Sequence, residues 1–63
     1  MLKTVEKAFQ VINLMTEEKK EIGVTEISNR LDMNDTTVYK ILSTLSKYNY
    51  ITQNTENSKY KLG

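Results

Sequence analysis

Between Asp35 and Lys47 the sequence places Thr36, Thr37, Tyr39, Lys40, Ser43, Thr44 and Lys47 at intervals that a helix would gather on one side. That side offers four aliphatic hydroxyls, one phenol and two ammonium groups, with no carboxylate beyond Asp35 at its start. These groups suit phosphate oxygens and base edges. An ammonium group such as that of Lys40 donates to guanine O6 or N7, and threonine hydroxyls and methyls meet either bases or phosphates. A protein-binding face has no need to exclude carboxylates and tends to be more apolar. Asp35 suits the positive end of a helix dipole as a capping residue better than it suits base readout.

Other chemistry is poorly supplied. The chain of 63 residues has no Cys and no His, which removes a disulfide framework, a thiolate nucleophile and the usual zinc ligands. Its eight carboxylates could act as acids or bases, but a chain this short can hardly enclose a water-excluding pocket. The expectation is therefore no enzyme, metal, cofactor or small-molecule site within this chain. No apolar run is long enough to span a bilayer, and the N-terminus lacks the apolar stretch of a signal peptide, which points to a cytoplasmic protein. Net charge is only +1, but residues 1–36 carry five basic and seven acidic side chains, whereas residues 37–63 carry Lys40, Lys47, Lys59 and Lys61 against Glu56 alone. The C-terminal half is the basic half.

The elements that must position this face follow from periodicity. With no Pro, two Gly and no repeat, the 63 residues read as one domain without a linker. Val5, Ala8, Phe9, Ile12 and Met15 predict a first helix over about Thr4–Thr16, with Thr4 placed to cap it. Val11 and Leu14 widen its apolar arc beyond the roughly 100° of a single packed face. Either the later strands cover them, or they form a helix-to-helix contact between two copies. Glu17–Glu21 reads as a solvated helix end and loop, followed by a short extended piece, Ile22–Val24. Thr25 sits where an N-cap belongs for a second helix over about Thr25–Leu31. Asp32, Met33 and Asn34 make a turn, and Asn34 or Asp35 can cap a third helix over Asp35–Lys47. Its apolar side is Val38, Ile41, Leu42 and Leu45. A hairpin follows over about Tyr50–Leu62, turning within Asn54–Ser58, and Tyr48, Tyr50 and Tyr60 are expected to pack between hairpin and helices. The fold class is mainly α with a small β-hairpin (α+β), in the order of a three-helix winged helix-turn-helix.

The stretch Thr25-Glu-Ile-Ser-Asn-Arg-Leu, then Thr36-Thr37-Val38-Tyr39-Lys40-Ile41-Leu42, then Leu45, Tyr50-Ile51 and the ending Lys59-Tyr60-Lys61-Leu62-Gly63, resembles the N-terminal domain of the IclR family of transcription regulators. Lys7-Ala8-Phe9, Val11-Ile12 and Leu14-Met15 are similar in spacing to the family's first helix. The sequence departs from the family at Asp32, where glycine is usual, at Asn34, where proline is usual, and at Asp35, often lysine. The family normally follows such a domain with a much larger effector-binding domain. The resemblance implies sequence-specific binding of double-stranded DNA by a prokaryotic-type regulator, most often a repressor.

In a helix-turn-helix the early residues of the second helix meet base edges in the major groove. Thr36, Thr37, Tyr39 and Lys40 are then the groove-facing set, with Ser43, Thr44 and Lys47 on phosphate. Thr25 is an N-cap that can also help to hold a phosphate. Asn57, Ser58 and Lys59 in the wing can reach an adjacent minor groove or its phosphates. So few positive groups imply weak binding by one copy, hence a homodimer on a palindromic site, with Val11 and Leu14 as its expected contact. The alternative is a winged helix used for protein association without DNA.

Overall fold

The helical periodicity is realised as α1 (Lys3–Glu17), α2 (Val24–Leu31) and α3 (Asp35–Lys47), followed by strands β1 (Ile51–Gln53) and β2 (Tyr60–Leu62). The computed structural model describes residues 2–18 and 20–63; Lys19, within the segment expected to be a solvated loop, lies outside them. The strands pair antiparallel in the register Ile51↔Leu62, Thr52↔Lys61 and Gln53↔Tyr60. On the other edge of β2, Ile22 and Tyr60 exchange two backbone hydrogen bonds of 2.8 Å. The extended piece before α2 thus joins the wing. Three helices with a two-strand hairpin behind them make a winged helix-turn-helix.

Each helix start has its own cause. Asn34 caps α3: its side-chain oxygen accepts from the Thr36 amide at 2.8 Å, and its carbonyl accepts from Val38. Thr25 does not cap α2. The chain leaves the Ile22–Tyr60 bridge extended, so Gly23 is already the N-cap and Thr25 lies inside the first turn. Thr4 is likewise inside α1, which begins after Leu2 without a side-chain cap.

The turn between α2 and α3 is secured by Ser28 and Asp32. Ser28, 8% exposed, donates its hydroxyl to the Met33 carbonyl, while the Met33 amide donates back to the Ser28 carbonyl at 3.0 Å. Asp32 closes α2 in the left-handed region at φ 53°, which explains why glycine suits that position.

The core comprises Val11, Leu14, Met15, Ile22, Ile27, Val38, Ile41, Leu42, Ile51 and Tyr60, with Ala8, Val24, Leu31, Met33 and Leu45 packed around it. Val11 is 0% and Leu14 5% exposed, so neither is available as a contact between copies. The wide apolar arc has a simpler reason: α1 lies in a notch and touches α2, α3 and β2 at once. Its outward apolar residues are Val5 and Phe9, with Leu2 exposed just before it. Tyr60 is buried as expected, but Tyr48 and Tyr50 are exposed. Between them Asn49 adopts φ 68°, turning the chain so that Ile51, rather than either tyrosine, enters the core. No helix of the described residues is long and apolar enough to cross a membrane.

Candidate nucleic-acid interface

The apolar side of α3 fixes what its other side presents. Val38 and Leu42 are fully buried and Ile41 nearly so, and with these anchored inward, Thr36, Tyr39, Lys40, Thr44 and Lys47 are exposed, while Thr37 and Ser43 are half-buried. Steps of four and three residues through Thr36, Lys40, Ser43 and Lys47 run along the side opposite the buried one, with Thr37 and Thr44 on one flank and Tyr39 on the other. Asp35 is the only acid along the helix, and it sits in the first turn.

Several of these groups already have protein partners. The Thr44 hydroxyl donates to the Lys40 carbonyl at 2.9 Å, leaving its oxygen free to accept. Lys40 and Thr44 also line a shallow apolar cleft against Thr4 and Ala8 of α1. The Lys47 ammonium stands 5.6 Å from the centre of the Tyr48 ring, within cation–π range. Tyr39 lies on the wing side of α3: the Tyr60 phenol has a raised pKa, first because it is buried and second because the Tyr39 phenol opposes its ionisation.

A second group assembles where the wing tip meets the amino end of α2. Thr25, Asn57, Ser58 and Lys59 line one open groove of about 570 Å³ together with Gly23, Val24, Glu26, Asn29 and Arg30. The stem of Lys59 runs beside Gly23, where an added Cβ would meet its Cγ at 3.8 Å. The wing turn is closed by backbone bonds, from the Asn54 amide to the Lys59 carbonyl at 2.7 Å and from the Ser58 amide to the Asn54 carbonyl at 2.8 Å, and by its own side chains. Asn54 Oδ1 accepts from the Glu56 amide and Asn57 Oδ1 from the Lys59 amide, both at 2.9 Å, and Ser58 takes φ 62°. The Asn57 side-chain amide donates to Glu21 at 3.1 Å, so it is engaged by protein rather than free at the surface.

The expected site residues thus form two surfaces, the outer strip of α3 and the wing tip beside α2. Two further residues matter that local spacing did not single out. Arg30, at the edge of the groove, pairs with Glu18 and lies 3.6 Å from Glu26; the Glu18 contact, more than any other, raises its pKa. Glu21 joins the wing from across the chain. The Arg30–Glu26 pair is a four-residue helical spacing, but the contacts of Arg30 with Glu18 and of Glu21 with the wing leave no periodic sign, because they join distant segments.

A helix-turn-helix whose second helix turns an acid-poor polar strip outward, flanked by a hairpin wing, defines a winged helix-turn-helix domain. Residues 4–55 match the model of the IclR helix-turn-helix domain, and the chain belongs to that family, one of transcription-regulator domains and not of enzymes. It is 38% identical over its whole length to the HTH-type transcriptional regulator XynR of Escherichia coli, covering 25% of that protein. Over 59 residues it is 41% identical to the regulator KdgR of Dickeya chrysanthemi, covering 94% of this chain and 19% of that one. The chain therefore spans a quarter or less of these relatives. Among solved structures it superposes on an IclR transcriptional regulator from Alicyclobacillus acidocaldarius with a TM-score of 0.94 and 30% identity, covering all of this chain and 26% of that one. An IclR-family regulator from Brucella abortus shares the fold at a TM-score of 0.92 and 21% identity, over 98% of this chain and 24% of that one.

Proposed function

We propose that this domain binds double-stranded DNA sequence-specifically for a transcription regulator, with α3 in the major groove and the wing on the flanking backbone or minor groove. The observation that carries this reading is the outward strip of α3, where Thr36, Lys40, Ser43 and Lys47 follow one another with no acid among them. Thr36, Thr37, Tyr39 and Lys40, near the helix start, are assigned to base edges, and Ser43, Thr44 and Lys47 to phosphates. Thr25 and the wing residues Ser58 and Lys59 contact the backbone beside the groove, and Asn57 shapes the wing that presents them.

Two copies act together on a palindromic site. A domain with this few basic groups gains little from phosphate neutralisation alone, and a two-fold pair about 34 Å apart along the helix axis supplies the missing affinity. With Val11 and Leu14 in the core, the surface left for that pair is the outward apolar face of α1, around Val5 and Phe9. In the cell we place it in the cytoplasm, as a repressor that occupies its operator.

Selection of preferred duplexes from a random pool tests this reading. Enrichment of a two-fold symmetric motif with half-sites about one turn apart supports it. Recovery of no preferred sequence by folded protein contradicts it.

A further inference from the structure

The wing tip has little apolar material to hold it. From Thr55 to Lys59 every side chain is polar and exposed, and Ser58 sits in a left-handed conformation that a serine rarely adopts unaided. What reaches the tip instead is Glu21. Its carboxylate accepts from the Asn54 side-chain amide at 3.1 and 3.3 Å and from that of Asn57 at 3.1 Å, across more than thirty residues of sequence. Both asparagines spend their oxygens closing the turn, so only their amide groups remain to be aimed outward, and both are aimed at this one acceptor. Glu21 itself is held in place, because the next residue, Ile22, is paired to Tyr60 through two backbone bonds.

We infer that Glu21 is a positioning residue for the wing: by gripping Asn54 and Asn57 it fixes the turn so that Lys59 lies beside the amino end of α2, on the side that meets the DNA backbone. The inference rests on the DNA-binding reading above. It also accounts for an acid placed next to Lys59 and Lys61, whose charges help hold its pKa below the usual carboxylate value after the two asparagine hydrogen bonds. A carboxylate at that point repels phosphate, so its contribution to DNA binding has to come through geometry.

That conflict of signs makes the test. The 63-residue chain, Glu21→Asp, Glu21→Ala, Lys59→Ala and the double variant Glu21→Ala/Lys59→Ala are titrated with a mixed-sequence duplex at low salt, after circular dichroism has confirmed which are folded. Glu21→Asp keeps the charge and withdraws it by one methylene, so it stands in for Glu21→Ala should that variant not fold. Both Glu21 variants are expected to weaken binding by roughly three- to tenfold, the scale of one net hydrogen-bonded contact. The double variant is expected to bind no worse than Lys59→Ala alone, because Glu21 acts through Lys59. Equal or tighter binding by Glu21→Ala, as simple loss of a negative charge would give, overturns the inference, as does strict additivity with Lys59→Ala. Failure of the folded wild type to bind at all overturns the DNA reading instead.

Discussion

Helix α3 and the wing tip face the same proposed ligand but are held by different physics. Behind α3 lie Val38, Ile41 and Leu42, buried against α2, α1 and the sheet, so its outward strip is aimed by hydrophobic packing. The wing tip is aimed by hydrogen bonds to one carboxylate and by two asparagine-closed turns. Packing is insensitive to pH and costly to disturb. A polar clasp is local, adjustable and titratable. The element proposed to read bases is thus anchored in the core, and the element proposed to touch backbone is held outside it.

The difference can be broken at its strong end first. Leu42→Ala removes a fully buried side chain from the middle of α3 and is expected to cost about 3 kcal/mol. In a domain this small that is a large share of total stability, so urea unfolding should show a marginal or unfolded protein. A wing substitution such as Asn57→Ala should leave most of the stability intact.

At the helix starts, Asn34→Ala should cost about 1 kcal/mol, since it deletes the oxygen that caps α3. Thr25→Ala should change stability by a few tenths of a kcal/mol at most, because Gly23 holds the cap position of α2. Equal losses for the two would show the caps to be misassigned.

A smaller, stabilising effect is expected where non-glycine residues occupy the left-handed region. Asp32→Gly in the turn and Ser58→Gly in the wing should each add about 0.5 kcal/mol, relief of backbone strain being partly offset by the greater freedom of glycine when unfolded. Thermal melting decides the sign.

The smallest effect concerns pH and sharpens the contrast directly. The Glu21 pKa is lowered in the folded chain, chiefly by Asn57 and Asn54, so the clasp is complete above the ordinary carboxylate pKa and is lost as pH falls through the lowered value. Side-chain amide resonances of Asn54 and Asn57 should move together over that acid range, while amides in the second half of α3, away from Asp35, should not follow them. Uniform movement of both regions would mean that the wing and the helix are not held separately.

Much of the fold is legible along the chain. The span Asp35–Lys47 predicted for the third helix is the span of α3, and the other helices end within a residue of expectation, because their apolar residues repeat at helical spacing. What stays hidden depends on the third dimension. The number of elements α1 touches decides that Val11 and Leu14 are core, and the Ile22–Tyr60 bridge decides that Gly23 precedes α2. Tyr48 and Tyr50 face outward because of one backbone angle at Asn49. On the candidate interface, which α3 residues point outward follows from periodicity. The grip of Glu21 on the wing does not, since it links residues 33 and 36 positions apart with no local pattern to mark it.

The central claim is that the outer strip of α3 meets DNA, and duplex binding measured over a series of salt concentrations tests it most directly. Wild type is compared with Lys40→Ala and Thr37→Ala. Affinity should fall with salt for wild type and be weaker for both variants, and Lys40→Ala, which removes a base contact, should also relax the sequence preference. Equal, negligible binding by all three folded proteins at low salt would contradict it and turn attention to a protein partner.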